Sequence, residues 1–359
     1  MVCKANKYLS SVGMSQTILL YIDFNAKLFI SCPSEGIISK ECIKYIISEE
    51  ELYFYFLSQR YTLASNHDGY LTFKSTNVIT QITTNVTFKE IEKEEYEGMN
   101  NEDDSIQVLI DADQYENQGE IIHFTYDFND SKISAIREYV DMDNWLDTSS
   151  DFSKMYSCLT WVKDAVKHKS FVTLPTKRDA ISLLNFAQNN NNKLNCRGLA
   201  ILLSELCLSA GLYSRYITCN MKETNTEDCH VVVIAFSKEL QKWVLLDPSY
   251  CLVLYDINQV PLSLNEFRNY IIENLEMIVD ERANYYNNEL DFNKYVQRTG
   301  IKLYRFSSPI HISIGCDEHY PENSVELVPN IKDYIMELPK VISDPSVFWQ
   351  FPPRFRRIK

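Results

Sequence analysis

The apolar residues of this 359-residue chain change period near residue 130, and that change limits the folds open to it. Up to about Asp130 the pattern is strand-like. β-Branched and aromatic residues fill LYIDFNAKLFIS, YLTFKST, VITQITTNVTF and IQVLIDA, which predicts an N-terminal β-rich domain over 1–130. After FTYDFND the apolar positions fall three and four apart, as a helix requires. ISAIREYVDMDNWL predicts a helix over 133–145, DFSKMYSCLTWVKDAVKHK one over 152–168, and RDAISLLNFAQ a third. Between these regimes Lys89 to Ser105 is highly charged and reads as a solvated loop.

A chain of this length can bury a full-sized core and favours two or three structural units. Hydrophobic content of 45% with 13% aromatics is that of a folded globular protein. The net charge of −14 argues against nucleic acid as a partner, because phosphate binding needs clustered Lys and Arg. The run ILLYI at Ile18 to Ile22 is cut by Asp23 and reads as a strand, and no apolar stretch reaches the roughly 18 residues that span a bilayer. No membrane partner is expected, and the inferred compartment is the cytoplasm. Ten cysteines occur without a CxxC pair, which reads as buried thiols and not as a disulfide framework.

NCRGLAILLSELCLSAG, Asn195 to Gly211, makes one of those thiols different. Asn195 is a good N-cap, Leu199, Leu202, Leu203 and Leu206 have helical spacing, and Gly211 is a natural terminator. Cys196 therefore opens a helix, where unpaired N–H groups and the positive end of the macrodipole favour a thiolate. Cys207, near the other end of the same helix, lacks that field and reads as core.

Downstream, LYSRYITCN reads as a strand and HVVVIAFSKELQKWVLLDPSY as a β-hairpin. A turn centred on Ser237 to Leu240 puts Phe236 opposite Gln241 and, in the same register, His230 opposite Asp247. Directly paired residues point to one face of a ladder, so a base and its orienting carboxylate come within hydrogen-bonding reach.

The order NCRGLA, LCLSAGLYSRY, CHVVV, KWVLLDPSY resembles the transglutaminase-like superfamily, as in bacterial transglutaminase-like domain-containing proteins; the match covers about 150–255. The resemblance implies an α+β fold with a papain-like core, a cysteine-bearing helix packed on an antiparallel sheet, and a catalytic Cys196, His230 and Asp247 in that chain order. It implies a structural role for Arg215. Two features depart from the family pattern: Val232 stands where an aromatic residue is frequent, and Leu194-Asn195 replaces the Gly that often precedes the cysteine. The implied organisation is 1–130 N-terminal β-rich domain, 131–260 catalytic core with its preceding helices, and 261–359 α+β extension. The implied activity is acyl transfer or amide hydrolysis on a protein or peptide substrate, with no cofactor. The alternative is a noncatalytic interaction module on the same fold.

For the oxyanion, the Cys196 backbone N–H is one candidate donor, and Gln188 or an Asn of 189–192 could supply a second. Taken singly, Cys196 could be a buried helix cysteine, His230 a satisfied core histidine and Asp247 the start of a turn before Pro248. Their order and the hairpin register favour the joint reading. The other histidines, His67, His123, His168, His311 and His319, have no comparable setting, and Trp243 reads as hairpin packing. Cys219, Cys229 and His230 suit zinc chemically, but a structural site needs a fourth ligand. Asp141, Asp143 and Asp147 lack the Gly and Glu of a calcium loop, so no metal is assigned. FWQFPPRFRRIK at the C-terminus clusters Arg with aromatics and reads as a docked tail. P-loop, GxGxxG, HExxH and GxSxG motifs do not occur.

Overall fold

The computed structural model divides the chain into two units, one over Met1–Asn101 and the other over Glu102–Glu223 and Cys229–Lys359. In the first it describes nine strands: β1 (Val2–Leu9), β2 (Met14–Ile22), β3 (Leu28–Cys32), β4 (Ile37–Glu41), β5 (Ile46–Ile47), β6 (Leu52–Phe56), β7 (Gln59–His67), β8 (Tyr70–Asn77) and β9 (Thr83–Glu90). In the second it describes 108–112, 115–170, 172–222, 229–285, 288–316, 321–334 and 340–353. The charged stretch predicted as a loop lies outside the described residues beyond Glu90, as do His319 and the last six residues of the tail.

The N-terminal strands form one antiparallel sheet in the order β4-β3-β2-β1-β9-β8-β7-β6-β5. Alternation is visible along β8, where Leu71, Phe73 and Ser75 are buried and Lys74 is exposed, the two-residue period of a sheet with one covered face. IQVLIDA departs from its strand prediction. Val108–Asp111 is helical, and the carbonyls of Leu109 and Ala112 accept from Arg268, a tertiary demand that overrides the β-branched composition.

The second unit is α+β. A two-residue strand β10 (Thr125–Tyr126) precedes helix α1 (Lys132–Tyr139), which is shorter than predicted because Asp141 takes a left-handed conformation and a 3-10 turn follows over Met142–Asn144. Helix α2 (Asp151–Ala165) is capped by Ser150 accepting from the Ser153 N–H. Its predicted extent to 168 is wrong by three residues: Val166 is extended, and Lys167–His168 forms strand β11, parallel to β12 (Lys193–Leu194). Helix α3 (Ala180–Gln188) lies between them in sequence.

Helix α4 (Cys196–Ser209) is buried on every side from Gly198 to Ser209, so it is the central element of the unit and not an amphipathic surface helix. It packs on β13 (Ser214–Asn220) and β14 (Cys229–Ser237), with α1, α2 and α3 against its other faces. Gly211, at φ +81, ends it as predicted. Strand β15 (Lys242–Leu246) completes the hairpin, and the sheet continues on the far side of β13 through Arg305–Pro309, Ser324–Leu327 and Lys340–Ile342. Strands from beyond residue 260 thus extend the same six-stranded sheet. Helices α5 (Leu264–Ile272) and α6 (Phe292–Gly300) lie between β15 and Arg305 in sequence.

Arg215 is fully buried and joins this sheet to the C-terminal segment. Its guanidinium donates to the Ser308 hydroxyl and the Phe348 carbonyl and stacks 3.8 Å from the centre of the Phe124 ring. Phe348 and Phe351 are docked, the latter against Phe236, and Trp243 packs on Phe236 while its indole N–H donates to the Gln350 carbonyl. No helix among the described residues is long and apolar enough to cross a membrane.

Candidate active site

Asn195 is extended at ψ 175 and its side chain accepts from the Gly198 N–H at 2.9 Å, which starts α4 at Cys196. The other end of that amide donates to the Val172 carbonyl at 2.9 Å. Gly198 permits a close approach. A Cβ there would lie 2.9 Å from Leu174 Cδ2 and 3.2 Å from Leu194 Cβ, so the first turn sits directly on the β12 strand. Cys196 is half-buried in the first turn of the helix.

His230 is the second residue of β14, opposite Cys219 of β13, and is 9% exposed. Its position relative to Asp247 corrects the predicted register. Phe236 pairs with Trp243 and not with Gln241, so the turn is displaced one residue along the chain. The cause is local: the Ser237 hydroxyl bonds Glu239 and receives the Leu240 N–H, and Gln241 closes the turn at φ 51. Extended to its end, the ladder leaves His230 and Asp247 diagonal to each other instead of directly opposed. Because the displacement is two residues, both side chains stay on one face.

The diagonal distance is small enough for a direct bond. His230 Nε2 meets Asp247 Oδ2 at 2.6 Å. Asp247 is fully buried and follows β15, where an isolated bridge to Leu252 holds its backbone on both sides at 3.0 Å. Tyr295 of α6 donates its hydroxyl to the same Oδ2 at 3.0 Å, and the Ser249 N–H donates to Oδ1 at 2.9 Å. A buried carboxylate needs such donors, and here three converge on it. Tyr250 covers the imidazole edge-on at 6.0 Å between ring centres.

With Nε2 committed to Asp247, the other ring nitrogen of His230 is the one left for Cys196, to which His230 is hydrogen-bonded. A second imidazole, His168, is hydrogen-bonded to the same thiol. Burial opposes the Cys196 thiolate, but the bonds and charges of the two histidines outweigh it and bring the thiol down to about 5. Burial likewise opposes a charged His230, and the Asp247 carboxylate followed by Cys196 outweighs that, raising the imidazole to about 10. Both shifts run toward the same charge distribution, a thiolate beside an imidazolium. At Cys251 and Cys219 the same burial prevails, pushing the first up to about 11 and the second well above the usual thiol range.

The structure thus brings Cys196, His230 and Asp247 together. It adds two residues that sequence reasoning passed over. Tyr295 comes from a distant helix and carries no signal in the sequence. In the sequence His168 falls at the end of a helical pattern; the signal against that reading is Val166, a β-branched residue two positions before it. The candidate oxyanion residues of the α3–β12 loop have other tasks. Gln188 is exposed, the Asn189 and Asn190 amides bond the Asn185 and Lys193 carbonyls, and Asn191 and Asn192 make a left-handed turn, both at φ 54. Among the remaining histidines, His311 bonds Thr125 at 2.9 Å, His123 is exposed, and the side chain of His67 lies outside the described residues. Among the described residues no group of three or more His, Cys, Asp or Glu is placed to hold a metal ion.

Residues 142–248 match the model of the transglutaminase-like superfamily, a span that contains His168, Cys196, His230 and Asp247. Solved structures similar to this chain include a putative cysteine protease from Cytophaga hutchinsonii, 13% identical, covering 58% of this chain and 69% of that one at a TM-score of 0.26. Another is a putative protease from Parabacteroides distasonis, 10% identical, covering 55% of this chain and 35% of that one at a TM-score of 0.25. No curated protein matches the chain.

Proposed function

We propose that the chain is a thiol enzyme that cleaves or transfers the acyl group of an amide in a protein or peptide, with Cys196 as nucleophile, His230 as acid and base, and Asp247 as the group that orients His230. The Cys196 sulfur attacks the amide carbonyl carbon, and the carbonyl π pair moves to oxygen. The proton on the cysteine-facing nitrogen of His230 passes to the leaving amine as the C–N bond breaks, leaving a thioester. A water or an incoming amine then gives its proton to neutral His230, attacks the thioester, and releases the Cys196 thiolate. Throughout, Asp247 fixes the ring and compensates the imidazolium charge.

The observation that carries this reading is a single imidazole bonded on one side to a buried carboxylate at 2.6 Å and on the other to a helix-opening thiol. The family match over 142–248 supports the same class of chemistry. A reducing compartment such as the cytoplasm suits a nucleophilic thiol. The test is the rate of iodoacetamide labelling at neutral pH, mapped by peptide, in wild type and His230→Ala. Cys196 should label at least about tenfold faster than Cys207, and most of that lead should vanish in the variant. If Cys196 labels no faster than Cys207 in either protein, the thiol is not activated, and a noncatalytic interaction module on this fold becomes the better reading.

A further inference from the structure

We infer that His168 is the side-chain donor that stabilises the oxyanion formed when Cys196 attacks a carbonyl. The inference rests on the thiol reading proposed above and assigns a role which that reading leaves open. Two imidazoles are hydrogen-bonded to one sulfur. His230 has its Nε2 committed to Asp247, and the proton on its other nitrogen is needed by the departing amine. That N–H cannot also serve as the donor to the oxyanion of the tetrahedral intermediate. His168 is therefore available for a different task at the same atom.

The geometry of the attack suits it to that task. When the C–S bond forms, negative charge leaves the sulfur and appears on the carbonyl oxygen, separated from it by one carbon. The sulfur, now a thioether-like centre, is a weak acceptor. An N–H that was held by the thiolate is released next to the new anion without having to travel far.

The backbone holds His168 in place for this. It pairs with Leu194 in the parallel β11–β12 ladder, with Lys167 N–H donating to Asn192 at 2.8 Å and Lys169 N–H to Leu194 at 2.7 Å. Leu194 is fully buried and adjoins the N-cap Asn195. One strand pair thus ties the histidine to the start of the nucleophile's helix, and a donor fixed before the reaction has no reorganisation to undergo during it. The Cys196 backbone N–H, in the first turn and without an intrahelical acceptor, is the natural second donor.

The experiment compares two reactions of the same thiol. Acylation by p-nitrophenyl acetate, followed as a p-nitrophenol burst, passes through an oxyanion. Alkylation by iodoacetamide is a displacement at saturated carbon and forms none. The ratio of the two rate constants therefore removes any effect of His168 on thiolate content. In His168→Phe, which keeps a planar ring without a donor, the ratio should fall on the order of 100-fold. In His168→Gln, which restores an N–H that does not titrate, it should recover at least about tenfold of that loss. Unchanged melting temperatures in either variant establish that the fold is intact. Should both rates fall together with their ratio within about threefold of wild type, His168 is a thiolate stabiliser and the inference is overturned. A wild type that gives no burst at all overturns the thiol reading itself, and a burst with an unchanged ratio overturns the role of His168 alone.

Discussion

Replacing Asp247 with asparagine removes one charge at the point where His230, Tyr295 and Ser249 converge. Its oxygen stands 2.6 Å from His230 Nε2. Burial pushes His230 down from 6.5, yet Asp247 and then Cys196 bring it up to about 10, a net preference for the charged ring of roughly 5 kcal/mol at about 1.4 kcal/mol per unit. Asparagine keeps an acceptor for one donor but carries no charge, so the imidazolium loses its main support and His230 falls back. Cys196 then loses the positive charge of that ring, and burial drives the thiol upward from about 5. The assay is the pH profile of iodoacetamide alkylation at Cys196. In wild type the rate should rise to its plateau through about pH 5; in Asp247→Asn that inflection should move up by about two units, slowing alkylation at pH 6 by about tenfold. A melting temperature close to wild type separates this from unfolding. An inflection that stays where it was would refute the claim that Asp247 sustains the ion pair.

Three other perturbations follow from the same structure. Asn195→Ala removes both the cap at Gly198 and the bond to Val172, and should cost about 1–2 kcal/mol in urea unfolding, while Asn195→Asp, which keeps the cap acceptor, should cost less. Gly198→Ala gains helix propensity of up to about 1 kcal/mol but places a methyl 3.2 Å from Leu194 Cβ, and overpacking against that backbone-anchored atom should make the net change destabilising. Glu205 is buried on α4 with its carboxyl raised to about 8, chiefly by burial, while the Ala180 and Gly315 N–H groups each donate to it at 2.7 Å. Between about 4.5 and 8 the folded state keeps a proton that the unfolded chain has released, so this group makes stability fall as pH rises through that window. Glu205→Gln should lower the stability at pH 5, and the difference from wild type should shrink as urea melts are repeated up to pH 8.

The sequence exposed some of this arrangement and concealed the rest, for physical reasons. Cys196 at a helix start was legible because its signals are local: the Asn195 cap, the leucine spacing and the Gly211 stop all lie within one segment. The shared face of His230 and Asp247 was legible because strand side chains alternate with period two. Their register was not, because it depends on how the Ser237 hydroxyl and the left-handed Gln241 build the turn. His168 escaped notice because the helical period of α2 runs on in sequence past Ala165, while the strand that displaces it is stabilised by residues 193–194, beyond an intervening helix. Tyr295 reaches Asp247 across 48 positions, and nothing near either residue announces the contact. In the same way the run at 108–111, with β-branched Val108 and Ile110, is helical where the Leu109 carbonyl accepts from Arg268 of a distant helix.

The central claim is that Cys196 forms a covalent acyl intermediate that His230 helps to make. Purified protein treated with p-nitrophenyl acetate, quenched in acid and mapped by peptide mass spectrometry tests it directly. The account predicts an acetyl group on Cys196 that neutral hydroxylamine removes, absent in Cys196→Ala and strongly reduced in His230→Ala. Acetylation spread evenly over the accessible cysteines, or equal on Cys196 with and without His230, would contradict it.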